Sequence, residues 1–502
     1  MSATVSTDSA VGKLRHRAYQ INAVTMAIGL MDWDQQCYMP PGGADARAEH
    51  VGILSQMRFD LETADETGRL IEDAEREAAP NSEDAALVRV MKRSYNLATK
   101  LPSTLTAEKS RLGALAHEEW VKARKNNDFA TFSPWLEKMF DLTRQEAECY
   151  GYTNHIYDAL IDLYEEGATE ADCRRMYDTL KTSNVALIKA IGDSPIKPDD
   201  SKLYGTWDVS KQRAFTELIV KEIGFDMENG RQDTAPHPFC ANFSTTDVRL
   251  TTRFKDHIGS AIFGSLHEAG HGMYEQGSPK KWDRTPLAGG VSLGIHESQS
   301  RTWENIVGRS RAFWSRFLPR LQEHFPALNN FDLNTWYSAI NKVQPSFIRV
   351  EADEVTYNMH TLVRFEIECD VLSSKMNIKD IPDAWNSKYQ DYLGVTPETD
   401  SVGCLQDVHW SAGLIGYFPT YSMGNCLSYQ FWNCLTRDLG DVNPMMAEGN
   451  FAPILGWLKE NIYQHGCHFQ PKDLVQMVSG KPIGAEDYLE GLKAKYSEIY
   501  AL

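Results

Sequence analysis

Residues Phe243 to Gly277 read FSTTDVRLTTRFKDHIGSAIFGSLHEAGHGMYEQG, and the change of pattern inside this stretch decides the fold. Its opening, Phe243 to Phe254, alternates and is rich in β-branched residues, which predicts a strand. The continuation to Gly277 is apolar and unbroken by proline, which predicts a buried helix. That helix carries His267-Glu268-Ala269-Gly270-His271. Residues four apart on a helix project from one face, so both imidazoles can reach one ion. Glu268 is turned by about 100° from His267 and stands beside the ion without binding it. From there it can take a proton from a zinc-bound water and pass it on. Gly270 and Gly272 weaken the helix intrinsically, so something large, another backbone or a substrate, is expected to approach there. The plain alternative is a pair of core histidines, and a random chain of this size would match the motif roughly 3 times in 100.

The context of the motif therefore matters. A catalytic zinc site uses three protein ligands and keeps one position open. Glu297, in Gly294-Ile295-His296-Glu297-Ser298-Gln299-Ser300, starts a second expected helix over 297–309 and is the expected third ligand. His296 competes for the role, but adjacent helical residues face different ways. Glu304 lies two turns further along the Glu297 face and is placed to orient a ligand from behind. The tract Gln464-His465-Gly466-Cys467-His468 has metal-like composition but no fourth ligand, and is set aside.

Outward from this centre the chain reads as helix after helix. Helical periodicity covers 43–78, 84–98, 105–126, 133–149, 169–192, 208–223, 311–324 and 356–373, punctuated by Pro40-Pro41-Gly42-Gly43, Pro80, Pro195 and Pro236 to Pro238. The acidic run Glu62 to Glu77 reads as a solvated helix face. No repeat, low-complexity tract or Gly/Ser linker interrupts the pattern. The expected architecture is mainly α: one large helical domain over residues 1–502, with a small β-sheet beside the motif helix.

Composition excludes several classes. A chain of 502 residues with 42% hydrophobic and 24% charged residues is ordinary for a globular protein. With 51 basic against 69 acidic residues the net charge is −18, which argues against nucleic acid or an anionic membrane as partner. Nine cysteines, odd in number and without a C-x-x-C, predict free thiols in a reducing compartment. With no secretory h-region at the start and no run of about 18 apolar residues, the expected location is cytoplasmic.

Further segments stand in a fixed order: Trp33-Asp34, Met39-Pro40-Pro41-Gly42-Gly43, His237-Pro238-Phe239, Asp247-Val248-Arg249-Leu250-Thr251, the two metal segments, Ile348-Arg349-Val350-Glu351-Ala352-Asp353-Glu354, Gly403-Cys404-Leu405-Gln406-Asp407-Val408-His409-Trp410 and Gly416-Tyr417-Phe418-Pro419-Thr420-Tyr421. Together they resemble the carboxypeptidase Taq family over nearly the whole chain. The resemblance implies removal of single residues from peptide C-termini with broad side-chain preference, a zinc ion that cobalt or another divalent cation can replace, a helical fold with a deep active-site groove, and a homodimer. Its partners are then peptides with a free C-terminus.

A carboxypeptidase must bind a free α-carboxylate, and the planar fork of Arg suits that task. Arg349 is the candidate; the alternative is a structural Arg paired with Glu351, Asp353 or Glu354. By resemblance, His409 and Tyr421 are expected to donate to the oxyanion of the reaction, with Gln406 and Asp407 positioning His409 or the substrate backbone. Asp247 and Arg249, two apart on the expected strand, form either a charged edge of the groove that touches substrate or an ion pair. A zinc endopeptidase and a silent metal-binding scaffold are the competing functions.

Overall fold

The computed structural model describes residues 8–502 and is built almost wholly of helices. The expected periodic segments are found as helices: Glu83–Lys100, Ser103–Asn126, Phe129–Tyr150, Glu170–Asp193, Val209–Glu222, Arg311–His324 and Tyr357–Leu372. Local chemistry sets several of their starts. Thr169 and Asp172 form a reciprocal capping box ahead of Glu170–Asp193, and Ser310 caps Arg311–His324. The segment expected as one helix over 43–78 is two, Ala44–Thr63 and Asp65–Glu77, because Ala64 adopts an extended conformation between them. On Asp65–Glu77 the acidic side chains face outward while Thr67, Ile71 and Ala74 are buried. Two long helices had no clear periodic signal: Ala10–Cys37 and Phe418–Leu439.

The sheet corrects the expectation of one strand over 243–254. It has three strands, β1 (Gly230–Thr234), β2 (Cys240–Ser244) and β3 (Asp247–Thr252), in the order β1-β3-β2. β3 runs parallel to β1 and antiparallel to β2. The predicted strand is thus the second half of a hairpin that turns at Thr245-Thr246. Asp283, distant in sequence, pins that turn by accepting from the Thr245 backbone N–H at 3.0 Å and hydroxyl at 2.9 Å.

Two large apolar clusters form the body. One gathers Phe140, Trp385, Tyr389 and Leu405; the other gathers Phe215, Phe263, Trp314 and Trp336. Helix Phe418–Leu439 feeds both, with Met423 and Cys426 on one side and Leu427 and Phe431 on the other. A smaller cluster joins Val11, Leu14 and Leu87 of the N-terminal helices to Trp282 and Leu287. All nine cysteines are free, five of them buried. No helix among the described residues is long and apolar enough to cross a membrane.

Helix Leu293–Arg301 is wedged between Ile258–Gly277 and Phe418–Leu439. A Cβ on Gly270 would stand 2.6 Å from the Gln299 carbonyl oxygen and the Ser300 Cα, and one on Gly424 would collide with the Glu297 Cγ. The close approach expected at Gly270 is therefore that of a neighbouring backbone, whereas Gly272 faces the Leu250 and Phe225 side chains. Gly270→Ala is expected to cost about 1–3 kcal/mol through overpacking. Gly52→Ala, with nothing within 4 Å, should instead stabilise its helix by roughly 0.5–1 kcal/mol. Denaturant midpoints of the two variants check the contrast.

Candidate active site

The motif helix Ile258–Gly277 presents both histidines to one point. His267 Nε2 and His271 Nε2 lie 3.6 and 3.4 Å from the same Glu297 oxygen, Oε2. The opposite nitrogens are held from behind. His267 Nδ1 is 2.8 Å from Glu304 Oε2. An ionised carboxylate only accepts, so Nδ1 carries a proton. Burial would lower the imidazole, but Glu297 and Glu304 outweigh it and lift the pKa to about 9; a bound cation would displace the proton from Nε2. His271 Nδ1 is 2.6 Å from His296 Nδ1, and His296 Nε2 is 2.6 Å from Glu275 Oε1. With Nε2–H of His296 donating to Glu275, its Nδ1 accepts from His271, and the lone pair of His271 Nε2 faces inward. His296, the rival for third ligand, thus stands behind His271 and orients it.

Glu297 sits on the helix Leu293–Arg301, which starts earlier than expected because Ser292 caps it. The α-helix stops at Arg301, and Thr302–Val307 forms a π-helical turn that contains Glu304. Arg301, four residues after Glu297, donates to Glu297 Oε1 at 2.7 Å and to Glu304 Oε2 at 3.2 Å. The Ser300 hydroxyl donates to Glu297 Oε2 at 3.0 Å. Burial alone would raise both carboxyls. Arg301 and His267 outweigh it, holding Glu297 well below the usual range and Glu304 at about 2. Burial keeps His271 neutral, its pKa lowered to about 3. Two imidazole nitrogens and one ionised carboxylate, each oriented by a second partner, fit a divalent cation. Among the described residues this is the one group of three His, Cys, Asp or Glu side chains placed to hold an ion.

Glu268, turned by about 100° from His267 on the same helix, is buried. Burial, with Glu297 and Glu304 nearby, lifts its carboxyl to about 7 against the pull of His267. A carboxyl poised near neutrality suits proton transfer in both directions.

A second buried cluster adjoins this one through Tyr357. The Arg301 guanidinium lies 4.7 Å from the Tyr357 ring, and the Tyr357 hydroxyl accepts from Arg349 Nη1 at 2.8 Å. The structure gives Arg349 a partner other than those expected: Asp407 Oδ1, at 3.1 Å from Nε and 2.8 Å from Nη2. Glu351 pairs with Lys255, Glu354 with Lys495, and Asp353 accepts from the backbone of Val355 and Thr356. Arg364 takes the other Asp407 oxygen, Nε to Oδ2 at 2.7 Å. Burial would raise the Asp407 carboxyl, but the two guanidinium groups hold it far below its usual value. Gln406 accepts from the Arg349 backbone N–H at 2.8 Å and donates to the Phe347 carbonyl at 2.8 Å and, more weakly, to the Tyr389 hydroxyl at 3.4 Å. His409 Nε2 is 3.3 Å from the Tyr421 hydroxyl, while its Nδ1 is buried without a hydrogen-bond partner. Burial and the nearby arginines lower His409 to about 4 against Asp407, so it is neutral at pH 7. Tyr421 belongs to helix Phe418–Leu439, one turn before Gly424, and so faces Glu297.

Asp247 and Arg249 find each other. Arg249 Nε and Nη2 donate to the two Asp247 oxygens at 2.8 and 2.9 Å, and the guanidinium lies 4.2 Å from the Trp33 ring. The pair ties the first helix to β3. Sequence reasoning missed Arg301, Tyr357, Arg364 and Glu275. The spacing of Arg301 from Glu297 was a usable signal; the other three sit in helices with nothing local to mark them.

The sequence signature described as Carboxypeptidase Taq (M32) metallopeptidase matches residues 13–496. The chain belongs to this family. It is 39% identical over 487 residues to Thermostable carboxypeptidase 1 of Thermus thermophilus, covering 94% of this chain and 95% of the relative. It is 37% identical over 486 residues to Carboxypeptidase 1 of Bacillus subtilis, covering 96% and 97%. The crystal structure of an M32 carboxypeptidase from Deinococcus radiodurans R1 superposes with a TM-score of 0.95 at 36% identity, covering 98% of this chain and 99% of that one. As a member of the carboxypeptidase Taq family the protein is a metallocarboxypeptidase, and His267, His271 and Glu297 form its candidate site for the divalent metal the family implies.

The partners behind the ligands should tune metal affinity. Glu304→Gln and His296→Ala are each expected to weaken metal binding about 10–100-fold. Competitive chelator titration measures this; unchanged affinity would remove both residues from the support of the ligands.

Proposed function

We propose that the protein removes single amino acids of many kinds from the C-termini of peptides, with His267, His271 and Glu297 holding zinc. The observation that carries this reading is the charge of the buried cluster beside the metal group. Arg349 and Arg364 face the single carboxylate Asp407, which leaves one positive charge uncompensated away from water. A substrate α-carboxylate is a natural counter-ion for it, and the Arg349 Nη atoms have N–H groups beyond those given to Asp407 and Tyr357. No observation favours the endopeptidase or scaffold alternatives. The ligand–ligand spacings of 3.4 and 3.6 Å support zinc, since atoms about 2.0–2.1 Å from one tetrahedral ion stand roughly 3.3 Å apart.

The bound ion supplies Lewis acidity, acidifying water and polarising the scissile carbonyl. The chain's own groups do the rest. Glu268 takes the proton of the attacking water and returns it to the leaving amine. The Tyr421 hydroxyl and neutral His409 donate to the oxygen that becomes negative. Gln406 fixes the Arg349 backbone, Asp407 aims its guanidinium, and Asp247 with Arg249 holds the N-terminal helix against the sheet. Cobalt or another divalent ion can replace zinc on these donors. A homodimer belongs to the same reading: helix Ala44–Thr63 has no buried residue and exposes Ile53 and Met57.

Incubating one peptide and its C-terminally amidated twin with the metal-loaded enzyme should give a mass ladder shortening by one residue for the first and no products for the second. Arg349→Ala should lower kcat/KM on the free peptide by about 100-fold or more; cleavage of the amide at the same rate would refute the assignment. Glu268→Gln is expected to lower kcat by about 10²–10⁴ with metal content unchanged. Tyr421→Phe should reduce kcat by about 10²–10³ with little effect on KM. An unaltered kcat in either variant removes that residue from the mechanism.

A further inference from the structure

Behind the helices that carry Glu297 and Tyr421 lies a cavity of about 620 Å³, a volume typical of small-molecule sites. One side of its wall is apolar, formed by Met176, Met423, Leu427, Val475 and Ile483, while the rest is polar and includes the carboxylates of Glu166, Asp473 and Glu486. Glu165 also lines it, 8% exposed, with one oxygen accepting from the Gly294 backbone N–H at 2.9 Å. Among the described residues no cation pairs with Glu165. Burial lifts its carboxyl to about 7, as expected of an acid taken out of water without a positive partner. At the rim, Arg175 pairs with Asp172 and Lys481 with Asp487 at 2.6 Å. Lys472 is exposed, lies beside Gly167, and has no ion-pair partner among the described residues.

An inner carboxyl lacking a cation, an apolar wall and a free rim ammonium match the three parts of an apolar α-amino acid. That is also what trimming a peptide from its C-terminus releases. We propose that this cavity binds a free apolar amino acid such as leucine, with its ammonium on Glu165, its side chain against Met423 and Leu427, and its carboxylate toward Lys472. The inference rests on the exopeptidase reading for the origin of the ligand. The cavity is joined to the catalytic centre at two places. Gly294, held by Glu165, is the second residue of the helix bearing Glu297. Met423 and Leu427 flank Gly424, whose missing side chain lets Phe418–Leu439 rest on Glu297. Occupancy therefore biases the position of Glu297 from behind, and the enzyme senses its own product at a site remote from the scissile bond.

Calorimetric titration of the metal-loaded enzyme with L-leucine tests this, using the native chain, Lys472→Glu at the exposed rim and Ile483→Trp to fill the cavity. Saturable binding is expected, weakened tenfold or more in both variants, with kcat retained when product is kept low. 4-Methylpentanoate, which lacks the ammonium, should bind at least tenfold more weakly than leucine. Leucine should lower kcat of the native enzyme, and both variants should lose that effect. Leucine binding unchanged in the two variants, or inhibition purely competitive with peptide, overturns the proposal, since the product then sits at the catalytic centre alone. If leucine binds as expected while the peptide ladder fails to form, the exopeptidase reading falls and the amino-acid site stands.

Discussion

Everything at the catalytic centre depends on the wedging of one short helix between two others at glycine contact. Leu293–Arg301 meets Ile258–Gly277 where Gly270 admits the backbone of Gln299 and Ser300, and meets Phe418–Leu439 where Gly424 admits the Glu297 side chain. Without side chains at those two points the helices approach close enough for a short Glu side chain to reach the imidazoles of the motif helix. Side-chain packing at ordinary interaxial distances of about 8–10 Å would hold them further apart. The glycines lower intrinsic helix stability, and tertiary packing recovers it.

Around that wedge the buried charges alternate in sign. Glu297 and Glu304 are held by Arg301, and Glu304 also faces Arg309 at 3.5 Å. Asp407 is held by Arg349 and Arg364. Buried ions are costly unless paired and hydrogen-bonded, and each here has at least one opposite charge with good geometry. The two sets differ in balance. The carboxylate-rich set surrounds the metal ligands and suits a cation, whereas the arginine-rich set suits an anion. Tyr357 links them, its ring beside Arg301 and its hydroxyl on Arg349. A peptide end carries a polarised carbonyl and a terminal carboxylate a few ångströms apart, so adjacent sites of opposite character are what its recognition requires.

Much of the architecture was legible because helix periodicity is local. The start of Arg311–His324 follows from its Ser310 cap, and Tyr357–Leu372, which has no side-chain cap, was legible from its apolar spacing alone. The strand expected over 243–254 runs through the turn at Thr245-Thr246 because that turn has no Gly or Pro; Asp283, far away in the chain, holds Thr245 in place. Ala10–Cys37 escaped notice since only Val11, Leu14, Ala18, Ile28 and Trp33 are buried along its length. The three ligand residues lay within two short motifs, so sequence spacing sufficed to nominate them. Arg349 and Asp407 were each singled out, the latter as a support for His409, but their pairing was not, since the two come from different segments and meet only through the fold.

The sequence by itself determined a helical metallopeptidase-like chain, two histidines on one helical face, a general-base candidate between them and an acidic candidate for a third ligand downstream. Those features reside in i, i+4 geometry and in short motifs, which need no distant contact. Only the tertiary structure decided that His296 stands behind His271, that Arg301 and Glu304 clamp the candidate ligand set, and that Arg349 shares Asp407 with Arg364. Each of these pairs residues on different turns or segments in a dry interior. There a charge must find its opposite, and which opposite is nearest is settled by how the helices pack.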